Sequence, residues 1–440
     1  MANKTIYEYD VLTPADSHPD KEVNSLPQAV FEWLETQALR ASESQNTAWL
    51  RLTQRSGRRV IQVLNYVGVI QTPYNEQIEV LPKIGREAED NGEVRKVLID
   101  MLRCLGGFQR ILTENAELCA TRMPLLEVFI YELLRSIEHV VKRGLRGDYT
   151  IQEGNLLSLR GKLMIAQHLR QNIFRADRFF SQYDEFTTNR PVNRLLHSAL
   201  KRVLVISSSD ENQKLARELA FFFTDVPLSE NVKSDFQRVR FDRGMDHYHD
   251  ALGWTRLLLE DQSPLTGVGS HNAPSLLFPM EKVFESFVAK HLARQLVANA
   301  ALKTQVQKQS LVSHRGHDWF RMKPDLLIRK KGKPRLVLDT KWKLIDASKF
   351  SSSDKYGLSQ ADFYQLLAYG KNYLDGEGDL VLIYPRTDTF ENPLEDFQFR
   401  KADSLTLWVL PFCLKEKTLL YPDKPIFQEL FNQGTLQKIA

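Results

Sequence analysis

The sequence predicts a multidomain chain of the α/β and α+β kind. A β-rich N-terminal domain (residues 1–118) precedes a mostly helical central domain (119–262) and a C-terminal domain built on a mixed sheet (263–440). Three observations carry this expectation. At 440 residues the chain is too long for one compact core. Apolar residues at helical spacing concentrate in its middle. The strongest hairpin pattern lies at Met322–Trp342, where two apolar segments flank the turn-forming run Lys330-Lys331-Gly332-Lys333-Pro334.

In the first region, Thr5–Val11 alternates like a strand and Leu26–Ala41 has helical spacing. Val60–Ile84 holds three apolar segments broken by Gly68 and by Pro73-Tyr74-Asn75. The basic loop Gln54–Arg59 reads as a solvated hairpin turn, with a partner or phosphate contact as the alternative. Composition bounds the rest. Hydrophobic content of 42% suffices for burial, and 59 basic against 55 acidic residues permit nucleic-acid contact without requiring it. Cys104, Cys119 and Cys413 are too few and too widely spaced for a disulfide framework or a zinc site, which fits a reducing cytoplasm. The N-terminal residues lack a secretion signal, and no apolar run approaches a bilayer span, so no membrane is expected. No G-x-x-x-x-G-K-[ST] loop occurs, so a nucleoside triphosphate would have to be handled by another chain.

In the middle, Leu125–Arg143, Pro191–Ser207 and Gln213–Phe223 are predicted helices, and Leu156–Met164 is predicted as a strand around Arg160-Gly161-Lys162. The basic run Lys142–Arg146 closes a helix, where cations offset the terminal dipole. Arg160, Lys162, Arg170 and Arg175 read as surface charge, with phosphate contact the alternative. The pairs His247/His249 and His314/His317 lack further ligands at zinc-site spacing and read as structural. Ser263–Ser270 is a linker by composition.

The C-terminal region opens with a predicted helix, Phe278–Leu296, on which Glu281 and Glu285 share a face. A strand over Lys303–Val312 follows, then the hairpin. Side chains alternate along a strand, so Asp339 and Lys341 point the same way and Thr340 the other. Folding about Lys331-Gly332 sets Asp325 nearly opposite Asp339. Two carboxylates so close repel each other unless a cation intervenes, and hard oxygen ligands suit Mg²⁺. Lys341 beside them can position or deprotonate a water or stabilise developing charge, the chemistry of phosphodiester hydrolysis. Asp339-Thr340-Lys341 is the only acidic-x-Lys triplet in the chain. Leu358–Tyr373 is a further predicted helix with Gln365 and Tyr369 on one face, and Asp379–Tyr384 and Ser404–Phe412 read as buried strands.

This element order and residue set resemble the PD-(D/E)xK nuclease superfamily, and more closely the McrC family, the nuclease subunit of the McrBC modified-cytosine restriction system. The resemblance is carried by Met280–Val288, Lys323-Pro324-Asp325-Leu326, Leu338–Trp342 and Asp362–Tyr369, with Asn155–Lys162, Tyr183–Phe186 and Asn193–Leu196 in the middle. It covers about Val60 to Leu410. It implies a restriction-endonuclease-like domain acting on DNA, with Mg²⁺ held by Asp325, Asp339, the Thr340 carbonyl and Glu285, and with Lys341 serving the attacking water. Glu285 is preferred over Glu281 because the family's acid follows Phe284. Gln365 and Tyr369 would steady the lysine or the DNA backbone. It further implies a hexameric AAA+ GTPase resembling McrB, bound through the N-terminal domain and carrying base recognition, and pairing of nuclease domains. Two other readings share these features: a non-catalytic adaptor that stimulates the GTPase, and a free-standing nuclease of DNA repair or phage defence.

Overall fold

The computed structural model describes residues 3–15, 24–43, 48–55, 57–74, 76–86, 90–105, 123–259, 275–307, 309–400 and 402–432. Cys119, the linker Ser263–Ser270 and both predicted domain boundaries lie outside the described residues. The protein is a mixed α/β chain with several sheets, and no helix among the described residues is long and apolar enough to cross a membrane. It divides into two compact units: residues 4–68, 78–122 and 277–440 in one, and residues 1–3, 69–77 and 123–276 in the other.

The chain opens with β1 (Asn3–Tyr7), β2 (Val11–Pro14), β3 (Asn24–Leu26), α1 (Gln28–Glu43), β4 (Leu50–Arg55), β5 (Arg58–Val63), β6 (Tyr66–Gln71), β7 (Gln77–Leu81) and α2 (Asn91–Leu102). The expected single strand Thr5–Val11 is two. Tyr9 adopts φ 64°, and that turn sends β1 and β2 into different sheets, β1 beside β7 and β2 between β3 and β5. The three apolar segments after Val60 are strands as expected, but Gly68 lies inside β6 and the break falls at Leu64-Asn65. Periodicity could not reveal either difference, because a backbone turn leaves apolar alternation intact.

The middle of the chain holds α3 (Leu125–Arg143), β8 (Asp148–Leu156), β9 (Lys162–Leu163), α4 (Ile165–Asn172), β10 (Phe179–Thr187), α5 (Pro191–Ile206), α6 (Asp210–Phe221), α7 (Val232–Arg238) and α8 (Tyr248–Leu259). The predicted helices are present, and Lys142 and Arg143 occupy the last turn of α3. The predicted strand Leu156–Met164 is mostly a turn. At Gly161, φ is 71° and an added Cβ would lie 2.3 Å from the Gln182 carbonyl oxygen, so only glycine lets the chain pass this close to β10. The long pair β8 and β10 carries no strand-like apolar pattern in the sequence because it buries no continuous face.

The last part contains β11 (Ser275–Pro279), α9 (Met280–Gln295), β12 (Ala300–Thr304), β13 (Gln309–His314), β14 (His317–Met322), β15 (Leu326–Lys330), β16 (Lys333–Thr340), α10 (Gln360–Tyr373), β17 (Gly378–Pro385), β18 (Phe397–Phe399), β19 (Ala402–Cys413), β20 (Thr418–Leu419) and α11 (Pro425–Leu430). The expected strand Lys303–Val312 is broken: Gln305 takes φ 47°, so β12 joins the large sheet while β13 pairs with β14 apart from it. His314 and His317 therefore close a separate hairpin.

The large sheet runs β12-β15-β16-β17-β19-β18, with β20 off β19. The β15–β16 hairpin turns on Lys331 (φ 49°) and Gly332 (φ 81°), the two positive φ angles a type I′ turn requires. β16, β17 and β19 are parallel, and α10 is the crossover from β16 to β17. Both faces of the sheet are covered. Val337, Leu380, Leu382, Leu405, Leu407 and Val409 pack with Leu366, Tyr369 and Tyr373 of α10. On the other face, Phe284 and Phe287 of α9 meet Phe412 at ring-centroid distances of 6.4 and 5.9 Å. Two-sided burial is why Leu336–Leu338 and Leu380–Tyr384 are continuous apolar runs.

Candidate functional site

Strand alternation places the site. Val337 faces α10, so Asp339 and Lys341 do too, while Trp342 faces α9 and lies 5.3 Å from the Phe284 ring. Leu326 pairs with Leu338, which sets Asp325 against Asp339 one step further along. Asp325 is not within the strand, however. It sits at a bend just before β15, where its Oδ2 accepts hydrogen bonds from the Thr340 amide and hydroxyl, each at 2.8 Å. Its backbone carbonyl accepts from the Gln305 amide.

Lys341 is the hub. Its Nζ lies 2.7 Å from Asp339 Oδ2 and 3.3 Å from Asp362 Oδ1, and donates to Gln365 Oε1 at 3.2 Å. Gln365 Nε2 in turn donates to the Tyr369 hydroxyl at 2.7 Å. Tyr369 thus reaches the lysine only through Gln365. Glu285, on α9, accepts from Gln305 Nε2 at 2.8 Å. Glu285, Asp325, Asp339, Lys341, Asp362 and Gln365 open onto one cleft of ≈ 730 Å³. Glu281 lines the same cleft but is exposed.

Electrostatics mark Asp339 as the residue under tension. It is 1% exposed, and burial, then Asp325, raises its carboxyl above the ordinary range although Lys341 opposes the shift. An ion pair alone would lower that value; here desolvation and a like charge outweigh it. Lys341 shows the converse: burial works against its charge, but Asp339 and Asp362 together raise its pKa. Burial, followed by Asp325, also raises Glu285.

These residues fit a hard divalent cation. Asp339 Oδ2 is buried and held by the Lys341 ammonium, with no further hydrogen bond among the described residues. Asp325, Asp339 and Glu285 are all oxygen donors, and the two aspartates repel each other without a cation. Among the described residues no three carboxylate, histidine or cysteine side chains form a finished cage. Mg²⁺ does not require one, since it usually takes one or two carboxylates and completes its shell with water and phosphate.

Asp362 lies in the segment Asp362–Tyr369, where the sequence pattern singles out only Gln365 and Tyr369 as site residues. Its signal was present, since positions 362, 365 and 369 share a helix face. Lys83 and Tyr9, which also line the cleft, had no local signal. Lys83 Nζ donates to the Trp342 carbonyl at 2.8 Å and lies 5.0 Å from the Tyr9 ring centroid. The histidine pairs join neither this cleft nor any metal-binding cluster among the described residues.

No curated protein matches the chain. Among solved structures, a chain of the refined half-complex from a tetradecameric assembly of Thermococcus gammatolerans McrB AAA+ hexamers with bound McrC aligns with a TM-score of 0.71 and 20% identity, covering 96% of this chain and 97% of that one. A chain of the Thermococcus gammatolerans McrBC complex aligns with a TM-score of 0.51 and 21% identity, covering 67% and 88%. At such identities the likeness is one of fold. The profile of the McrBC 5-methylcytosine restriction system component matches residues 61–385, well over half the chain, and the chain therefore belongs to that family as an McrC-type component.

Proposed function

We propose that this chain is the Mg²⁺-dependent DNA endonuclease subunit of a McrBC-like, GTP-dependent restriction system, with residues 263–440 as its PD-(D/E)xK nuclease domain. The observation that carries the reading is the meeting of Asp325, Asp339 and Lys341 at the rim of a mixed sheet. Asp325 and Asp339 would hold the metal, with Glu285 beside them and the Thr340 carbonyl as a further oxygen. When bound, Mg²⁺ supplies Lewis acidity toward a phosphoryl oxygen and an attacking water. The chain's own residues do the rest. Gln365 and Asp362 hold the Lys341 ammonium against the cleft, where it stabilises charge developing on the phosphate. Tyr369 fixes the Gln365 amide, and Thr340 fixes the Asp325 carboxylate.

The partner in this proposal is an AAA+ GTPase motor resembling McrB, which supplies modified-cytosine recognition in a cytoplasmic setting, and nuclease domains pair to cut both strands. The N-terminal residues were the expected docking surface. Exposure favours the β8-β10-β9 sheet, α4 and the loops beside them instead, where Tyr149, Ile151, Leu157, Phe174 and Phe186 stand in solvent. Apolar exposure on that scale marks an interaction surface. The test of the function uses Asp339→Ala and Lys341→Ala in the full chain. Each should abolish DNA cleavage yet leave motor binding and GTPase stimulation intact, and retained cutting by either removes the assignment.

A further inference from the structure

The hairpin β13–β14 buries almost nothing. Of its residues only Met322, at its end, is buried, and Leu311, Val312, Trp319 and Phe320 are 50%, 45%, 49% and 70% exposed. A two-stranded hairpin exposed on both faces has little to hold it folded alone. Phe320 also adopts φ 57°, a backbone region that a bulky aromatic rarely occupies and that concentrates at functional sites. Leu311 and Phe320 interrupt a register that is otherwise continuous from Gln309↔Met322 to His314↔His317.

The root of this hairpin is nevertheless held firmly. The Tyr373 hydroxyl lies 3.0 Å from the carbonyl oxygens of both Val306 and Met322, where the chain enters and leaves the hairpin. Tyr373 lies on α10. The same helix face presents Gln365 to Lys341, so one rigid element sets both the hairpin and the site lysine. Only Lys323 and Pro324 separate Met322 from Asp325. At the hairpin's foot a cleft of ≈ 400 Å³ is lined by Lys303, Gln309, Arg329 and Tyr373. Arg329 Nε is buried there with no hydrogen-bond partner among the described residues, a donor awaiting an acceptor.

We propose that β13–β14 is the arm by which this chain grips duplex DNA beside the scissile phosphodiester. Trp319 and Phe320 lodge against sugars and bases in a groove, Arg315 and Arg321 take phosphates along the arm, and Lys303 and Arg329 take a phosphate at its foot. The assignment deepens the nuclease reading and rests on it. Charge favours DNA over a second copy of the chain: Arg315, Arg321 and Lys323 stand against the single Asp318, so two copies of the arm repel each other while a polyanion is attracted.

The test measures anisotropy of a labelled linear duplex titrated with the full chain in EDTA at several salt concentrations. Trp319→Ala with Phe320→Ser should raise Kd roughly tenfold or more. Arg315→Gln with Arg321→Gln should weaken binding and lower the salt slope by about two. Wild-type affinity in both pairs overturns the proposal. So does lost self-association in sedimentation with unchanged DNA affinity, which would give the arm to a second copy. Mg²⁺-dependent cutting by the wild-type chain with its motor is assayed separately. If the wild-type chain never cuts but the arm variants still lose duplex affinity, the nuclease reading fails and the arm stands as a DNA-binding element.

Discussion

The Trp342 indole Nε1–H donates to the Glu8 carboxylate, with Nε1 2.9 and 3.1 Å from its two oxygens, across 334 residues of sequence. Glu8 is 0% exposed and also accepts the Lys83 amide at 3.0 Å. Lys83 Nζ closes the loop on the Trp342 carbonyl. The residue directly after Lys341 is thus anchored on the first strands of the chain.

That anchor predicts a pH-dependent stability. Burial raises the Glu8 carboxyl from 4.5 to about 7. Between those values the folded state holds a proton that the unfolded state releases, so stability is full below pH 4.5 and falls as pH rises through 7. The span is on the order of 3 kcal/mol. Urea unfolding of wild type minus Glu8→Gln across pH 4–8 should show this slope, and a flat difference would remove Glu8 as its source. Glu8→Ala leaves the indole N–H unpaired and should cost about 1–3 kcal/mol.

Asp362 and Gln365 hold Lys341 without touching Asp325. Asp362→Asn and Gln365→Ala should each slow single-turnover cleavage by about 10–100-fold, the usual effect of losing a group that orients a metal-site residue. Duplex affinity should change little. An effect confined to affinity would mean that these side chains contact DNA instead.

Asp339 sacrifices stability for its position. At pH 8 without divalent cation, Asp339→Asn should raise stability by about 1 kcal/mol by removing a buried charge set against Asp325. Mg²⁺ should raise the melting temperature of wild type and leave that of Asp339→Asn unchanged. EDTA should stop wild-type cleavage and added Mg²⁺ restore it.

Gly370 packs α10 onto the sheet. A Cβ there would lie 2.8 Å from Leu405 Cδ1 and 3.1 Å from Leu380 Cδ1. Gly370→Ala should destabilise the chain by about 1–3 kcal/mol in urea unfolding, through overpacking, and slow cleavage by displacing Gln365 and Tyr369. An unchanged midpoint would mean that the leucines rearrange freely.

For the motor contact, Ile151→Ser with Phe174→Ser should lower GTPase stimulation severalfold and leave the unfolding free energy within about 0.5 kcal/mol of wild type, since both side chains are exposed. Full stimulation would return docking to the N-terminal residues.

Much of the strand that carries the candidate site is readable from local pattern. A two-residue turn at Lys331-Gly332 and a side-chain period of two suffice to oppose Asp325 to Asp339 and to aim Lys341 with Asp339; helical spacing alone puts Gln365 and Tyr369 on one face. The breaks at Tyr9 and Gln305 were hidden, because a single left-handed residue diverts a chain without disturbing its apolar rhythm.

By itself the sequence determined the family and which residues of each element share a face, because those faces follow from backbone periods of 2.0 and 3.6 residues. Only the tertiary structure decided which faces meet: Asp362 on Lys341, Glu8 under Trp342, and Tyr373 at the root of an exposed hairpin. Those contacts join segments tens to hundreds of residues apart, and they are selected by the close packing of the whole core, which no local period encodes.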